Sequence, residues 1–331
     1  MTGSTDTVRS GASVAPEPVT LLAFATVVVT GGLNAIAVRE TLGELAPFWS
    51  AGLRFALAAA IMIIVVLATG RSFPHGRGLV GAIAYGAVGL SASFALIYTG
   101  LVDVSAGTGA VLLALAPLFT FGLAIVQGLE RFRLEGLIGA IVALVGVVVV
   151  FADRLGADVP LGSLIVIVLG TACIAEAGVI VKWTPRSDPF GTNAVAMVTG
   201  ALVLIGLTVL TGEPVVAPSE AGTIAAMAYL VVLGSVVMFG AFVFALGRWT
   251  ASAVSYSTLL VPLVTLSVAA LFTGETVTVW LVVGGAIILA GVYVGAFFQR
   301  PRRWSASSLP ECLPVDGCPE VAPGRAPAAA R

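Results

Sequence analysis

The stretch "SAGTGAVLLALAPLF" at 105–119, continuing as "GLERFRLEGLIGAIVALVGV" at 128–147, has a second copy in the same chain: "TASAVSYSTLLVPLV" at 250–264, continuing as "FTGETVTVWLVVGGAIILAGV" at 272–292. Pro117 and Glu130 of the first copy correspond to Pro262 and Glu275 of the second, both at an offset of 145 residues (117 to 262, 130 to 275). The same offset relates Gly139 to Gly284, Gly146 to Gly291 and, upstream, Gly89 to Gly234 and Phe94 to Phe239. These segments are almost continuously apolar, so the repeated unit belongs in a membrane. Internal duplication in a membrane protein points to two related halves with a site between them.

Composition agrees. The 331 residues are 59% hydrophobic and 10% charged, with a mean hydropathy of +1.09. Soluble domains carry about 25% charged residues. Ten stretches are long enough to span a bilayer, near 19–38, 47–69, 78–100, 104–126, 134–152, 160–182, 190–211, 221–246, 250–273 and 276–298. Backbone polar groups have no water to bond in lipid, and no period-two alternation suggests a barrel, so the spans are read as helices.

Lys and Arg set the orientation. With the N-terminus inside, the inner loops hold Arg71, Arg77, Arg131, Arg133, Lys182, Arg186 and Arg248, and Arg300, Arg302 and Arg303 follow the last span. The outer loops hold only Arg39 and Arg154. This asymmetry predicts two cytoplasmic termini. Five spans per half is an odd number, so the expected fold is all-α integral membrane, ten transmembrane helices as two inverted five-helix repeats. The predicted organisation is a disordered cytoplasmic tail at 1–18, a first repeat at 19–153, a second at 160–298 and a disordered cytoplasmic tail at 299–331. Ala35-Ile36-Ala37 has the look of a signal-peptidase site, but the repeat requires the first span.

The two copies resemble the drug/metabolite transporter superfamily, EamA-like branch: an Ala/Ser-rich helix entry, a mid-helix Pro, a Glu at the helix end and a Gly-dotted helix. The resemblance covers about 20–298. Arg54-Phe55 matches an Arg-Phe pair often found in the family's second span. The second copy is the better match, because Gly128-Leu129-Glu130 lacks the compact pair Gly274-Glu275, and Thr30-Gly31-Gly32 stands where a Trp-Gly motif is expected. The resemblance implies export or exchange of small metabolites, amino acids or drugs across the cytoplasmic (inner) membrane, without ATP hydrolysis. The expected partners are a small-molecule substrate and the lipid bilayer, with a homodimer as an option, no nucleic acid and no cofactor. An uncoupled facilitator or exchanger, and a non-transporting sensor or scaffold, are the alternatives.

Individual residues divide by where they fall. Pro117 and Pro262 lie mid-span and withdraw the carbonyls of Leu113 and Thr258 from helix bonding. Either a packing kink or a gating element follows. Glu130 and Glu275 sit at span ends, where a carboxylate caps free backbone N–H groups. Glu176 lies within the sixth span, about 9 Å from its inner end, and Arg54 lies inside the second. A charge at such depth costs at least about 2.5–3.5 kcal/mol on insertion scales, so it faces a cavity or a partner. Glu176 is a candidate proton carrier or, more blandly, a partner of Lys182. Arg54 either packs helices or meets an anionic group. Asn34, Tyr85, Ser93, Tyr98, Asn193, Ser235 and Tyr256 can bond a ligand or glue helices. Trp49, Trp183, Trp249 and Trp280 fall at span ends, as an aromatic belt does.

Enzymatic chemistry finds no motif. The single His75 stands in a loop, no His-Glu-x-x-His or Gly-x-Ser-x-Gly occurs, and no Gly-rich loop carries Lys-Ser/Thr. Cys173 lies in an apolar run, and Cys312 with Cys318 make no zinc pattern.

Overall fold

The computed structural model describes residues 17–101, 103–104, 106–150, 160–273 and 279–297, and all described residues are helix or short connection. Residues 1–16 and 298–331, with Arg154, the Arg300–Arg303 cluster, Glu275, Cys312 and Cys318, lie outside the described residues, while Pro18 of the expected first tail already begins α1. The helices are α1 (Pro18–Thr41), α2 (Pro47–Ala68), α3 (Arg77–Tyr85), α4 (Ser93–Leu101), α5 (Ala106–Leu113), α6 (Ala116–Val126) and α7 (Leu134–Val150) in the first half. The second half holds α8 (Leu161–Trp183), α9 (Pro189–Thr211), α10 (Ala221–Val231), α11 (Met238–Arg248), α12 (Ala251–Ser255), α13 (Ser257–Thr273) and α14 (Val279–Val292). Among the described residues, eight helical stretches are long and apolar enough to cross a membrane. Leu134–Val150 and Ala251–Thr265 are apolar but shorter. The molecule is thus a multi-pass, all-helical membrane protein.

Two π-helical segments interrupt otherwise continuous rods, Gly86–Ala92 between α3 and α4 and Val232–Val237 between α10 and α11. They centre on Gly89 and Gly234, which are one repeat apart. A π turn leaves a backbone carbonyl without its usual helical donor, and such turns concentrate at functional sites.

Packing repeats as well. α2 lies along α9, and α7 along α14. α1 packs on α10, α11 and α13, while α8 packs on α3, α4 and α6. Exchanging the two halves therefore reproduces the pattern. The α7–α14 crossing makes the exchange visible atom by atom. A Cβ on Gly146 would lie 2.8 Å from the Gly284 carbonyl oxygen, and one on Gly291 would lie 2.7 Å from that of Gly139. The two contacts map onto each other at the 145-residue offset. Residue numbers rise along one helix as they fall along the other, so the pair is antiparallel. So is α2–α9, where Gly52 meets Ile205 and Gly191 meets Ser72. Backbones approach this closely only where both helices present small residues.

The proline kinks differ between copies. α5 ends at Leu113, and Pro117 sits in the first turn of α6, where its missing N–H costs nothing. α13 instead runs on through Pro262, and the break falls at Tyr256. Two buried clusters form the core. One centres on Val147, Tyr256, Leu259 and Ile288 and the other on Phe55, Met62, Met197 and Leu204.

Candidate functional site

Arg54 (α2), Asn34 (α1) and Ser235 (the second π segment) are brought together inside the bundle. The Arg54 Nε–H donates to Ser235 Oγ at 2.7 Å, and its Nη2 donates to the Gly234 carbonyl at 2.7 Å. Asn34 Nδ2 donates to that same carbonyl at 3.2 Å and to Met238 Sδ at 3.3 Å. The Gly234 carbonyl, inside the second π segment, is therefore the common acceptor for two side chains from other helices. The Arg54 guanidinium carbon lies 5.2 Å from the Phe55 ring centroid and 5.8 Å from that of Phe94, within cation–π range. Phe94 in turn lies edge-on to Phe55 and tilted against Tyr98. Arg54 is 2% exposed, and among the described residues no carboxylate pairs with it.

Glu176 stands elsewhere. Both its oxygens accept from Gln127 Nε2, at 3.0 and 2.8 Å, across the α8–α6 contact. Lys182, its expected salt-bridge partner, instead donates to the carbonyls of Leu246 at 2.8 Å and Trp249 at 2.7 Å. Those carbonyls lie at the end of α11, where helical donors run out, so they draw the ammonium away from Glu176.

The remaining singled-out residues scatter. The Tyr256 hydroxyl donates to the Gly136 carbonyl at 2.7 Å and is spent on helix packing. Ser93 is similarly spent on Gly89 of its own helix. The Tyr85 hydroxyl and the Asn34 and Asn193 Oδ1 atoms are buried without a hydrogen bond. Trp49 donates from its indole N–H to the Val216 carbonyl at 2.6 Å. Trp249 is not at a lipid-facing belt but 7% exposed and edge-on to Phe24. Trp183 and Trp280 are exposed.

Charged groups at the helix ends join the halves. Glu130 accepts from the N–H of Ser252 at 2.9 Å and from its hydroxyl, so it serves the start of α12, in the other half, rather than the helix that follows it. At the start of α2, Glu213 accepts from the N–H groups of Phe48 and Trp49, at 3.3 and 3.0 Å. Glu44, just before α2, returns the arrangement. It accepts from Ser219 N–H at 2.7 Å, Ser219 Oγ at 2.6 Å and Glu220 N–H at 3.2 Å, ahead of α10. Each loop thus supplies the anion for the helix N-terminus of the other. At the far end of the same helix pair, Arg71 pairs with Asp188 at 2.8 Å.

The Ser219 hydroxyl, and after it the Ser219 N–H, holds the Glu44 carboxyl down to about 2 from an ordinary 4.5. A carboxyl depressed on folding stabilises above its unfolded value and loses that stabilisation as pH falls toward its folded value. Glu44→Gln should therefore lower Tm by the same amount at pH 8 and pH 5.5, and the difference should shrink only below about 4.5. A difference that vanishes by pH 5.5 would mean that this clasp does not hold the loops.

Sequence reasoning missed Gln127, the Glu44–Glu213 exchange and the π turns. Gln127 looked like an ordinary loop-end residue, and only its place opposite an intramembrane Glu would have drawn notice.

The fold is a multi-span helical bundle with duplicated halves and a buried polar cluster, and comparison with known proteins places it among membrane transporters. Residues 19–152 and 161–296 each match the EamA-like transporter family, and the chain belongs to it. It is 28% identical over 290 residues to a protein of Salmonella typhimurium named "Probable amino-acid metabolite efflux pump", covering 84% of this chain and 94% of that one. It is 30% identical over 259 residues to the "Probable terminal-alkyne amino-acid exporter" of Streptantibioticus cattleyicolor, covering 77% and 86%. A solved crystal structure has the same fold, with a TM-score of 0.73 at 19% identity over 83% of this chain and 95% of that one.

Proposed function

We propose that this chain exports small metabolites, amino acids or drugs across the cytoplasmic membrane by alternating access, with ten spans in two inverted five-helix halves, 19–153 and 160–298. The observation that carries the reading is the α7–α14 crossing, in which Gly146 meets Gly284 as Gly291 meets Gly139, with the helices antiparallel. Equivalent elements lie in opposite directions about one axis, which is the geometry that lets two halves exchange conformations about a central site. The names of the relatives favour export, and the Arg and Lys distribution favours cytoplasmic termini.

In this reading Arg54, Asn34 and Ser235 line the substrate path. The break before Pro117 and the break at Tyr256 near Pro262 let the half-helices tilt. Glu176 carries the coupling proton, releasing Gln127 when protonated.

The test compares metabolites inside and outside cells that express the chain, its Glu176→Gln variant or neither, at equal membrane levels. Export by the unmodified chain alone supports both transport and the role of Glu176. Equal export by both variants leaves Glu176 structural and favours an uncoupled carrier. If neither differs from empty cells, export is wrong. For the proton step, efflux into medium at pH 6 should exceed efflux at pH 8, and a flat profile would remove the coupling.

A further inference from the structure

The α2–π-segment junction presents hydrogen-bond donors without acceptors. Arg54 uses its Nε–H and one Nη2 donor on Ser235 and Gly234, and its other N–H groups meet no acceptor among the described residues. Ser235 accepts from Arg54 and its own O–H donates to no described residue. Both side chains are buried. The ionisable groups that act on the guanidinium, Tyr98 and Tyr229, are phenols rather than carboxylates, and the Tyr229 hydroxyl already donates to the Thr30 carbonyl at 3.0 Å. A buried cation with spare donors and no counter-charge is incomplete. Beside it, Phe94, Tyr98 and Phe239 keep part of their surfaces accessible.

We propose that Arg54 and Ser235 form the receptor for the carboxylate of the transported molecule, whose apolar body lies against Phe94, Tyr98 and Phe239. One guanidinium balances one negative charge, and its planar fork suits the two oxygens of a carboxylate. A phosphate ester carries up to two charges at neutral pH and would leave one of them buried and unmatched. Asn34 donates to the same Gly234 carbonyl and so fixes the acceptor on which Arg54 is aligned; it is a positioning residue.

This inference rests on the transport reading. Its test sorts every compound whose efflux depends on the chain by charge, in cells expressing the unmodified chain, Arg54→Lys, Arg54→Gln or none. Monocarboxylates, zwitterions included, should leave with the unmodified chain, while polyamines, nucleobases and sugar phosphates stay at the empty-cell level. Arg54→Gln should lower monocarboxylate efflux about tenfold or more, the scale of one lost charged hydrogen-bonding partner. Arg54→Lys keeps the charge without the fork and should fall between. Efflux of amines or neutral compounds that lack a carboxylate, or of dianions, by the unmodified chain would overturn the assignment, whether or not the variants fold. So would full monocarboxylate efflux by Arg54→Gln. If the unmodified chain changes no compound at all, the transport reading fails and this inference with it.

Discussion

Gly139→Ala should lower the Tm of the purified chain by about 10 °C, or prevent its accumulation in the membrane, while Gly122→Ala leaves both unchanged. A Cβ on Gly139 would stand 2.4 Å from both the Cα and the N of Gly295 and 2.7 Å from the Gly291 carbonyl oxygen. All three are backbone atoms, so no side-chain rotation relieves the contact and α7 must move away from α14. Overpacking of this kind costs about 1–3 kcal/mol in well-packed interiors, and the unyielding neighbours put this case at the upper end. About 2–4 °C per kcal/mol then gives the Tm change. Gly122 is the matched control, because its Cβ would meet nothing within 4 Å. Since Gly284 stands in the equivalent place, with the Gly146 carbonyl oxygen at 2.7 Å and the Val150 N at 2.8 Å from its added Cβ, Gly284→Ala should cost about as much. Unequal losses would mean that the two ends of the crossing are not equivalent.

The glycines of that crossing were legible in the sequence, because a fixed offset leaves a trace at both copies, but the sequence did not show that they meet each other. The family and the two-part architecture followed from the same repeat. The connections between halves left no such trace. Glu44 and Glu213 stand 169 residues apart (44 to 213) and are not related by the repeat, so no spacing marks them. Gly212, at φ 70°, ends α9 and turns the chain so that Glu213 follows directly, yet a Gly-Glu step reads as any helix end. The individual polar residues Arg54, Asn34 and Ser235 were legible, because charge and amide groups stand out in an apolar run. Their convergence was not, since it depends on a carbonyl that sits within a π turn. That turn has no proline to announce it, whereas Pro262 announces a break that α13 does not make at that residue. Backbone irregularity here follows tertiary bonding more than local residue type.

The Gly234 carbonyl is the point where this shows most sharply, and Gly234→Ala is the variant that isolates it. An added Cβ would lie 2.0 Å from Asn34 Oδ1 and 3.2 Å from Nδ2, so the amide must leave the position from which it bonds the carbonyl. The Asn34 amide is the end of a flexible side chain, so the fold should survive with a stability loss of about 1–3 kcal/mol, while efflux of the chain's substrate falls to the empty-cell level. Asn34→Ala alone removes the hydrogen bond to the Gly234 carbonyl, at about 1 kcal/mol, together with the weaker one to Met238 Sδ, and leaves room for the methyl group. The double variant should therefore melt with Asn34→Ala and well above the sum of the two losses, because the clash and the lost bond share one cause. Arg54 would then keep both its bonds, to Ser235 Oγ and to the Gly234 carbonyl, so part of the efflux should return. Additive losses in Tm would show that Gly234→Ala acts on the π turn itself and that Asn34 does not set its geometry. Restored stability without restored efflux would instead assign Asn34 a direct contact with the substrate, beyond the alignment of Arg54.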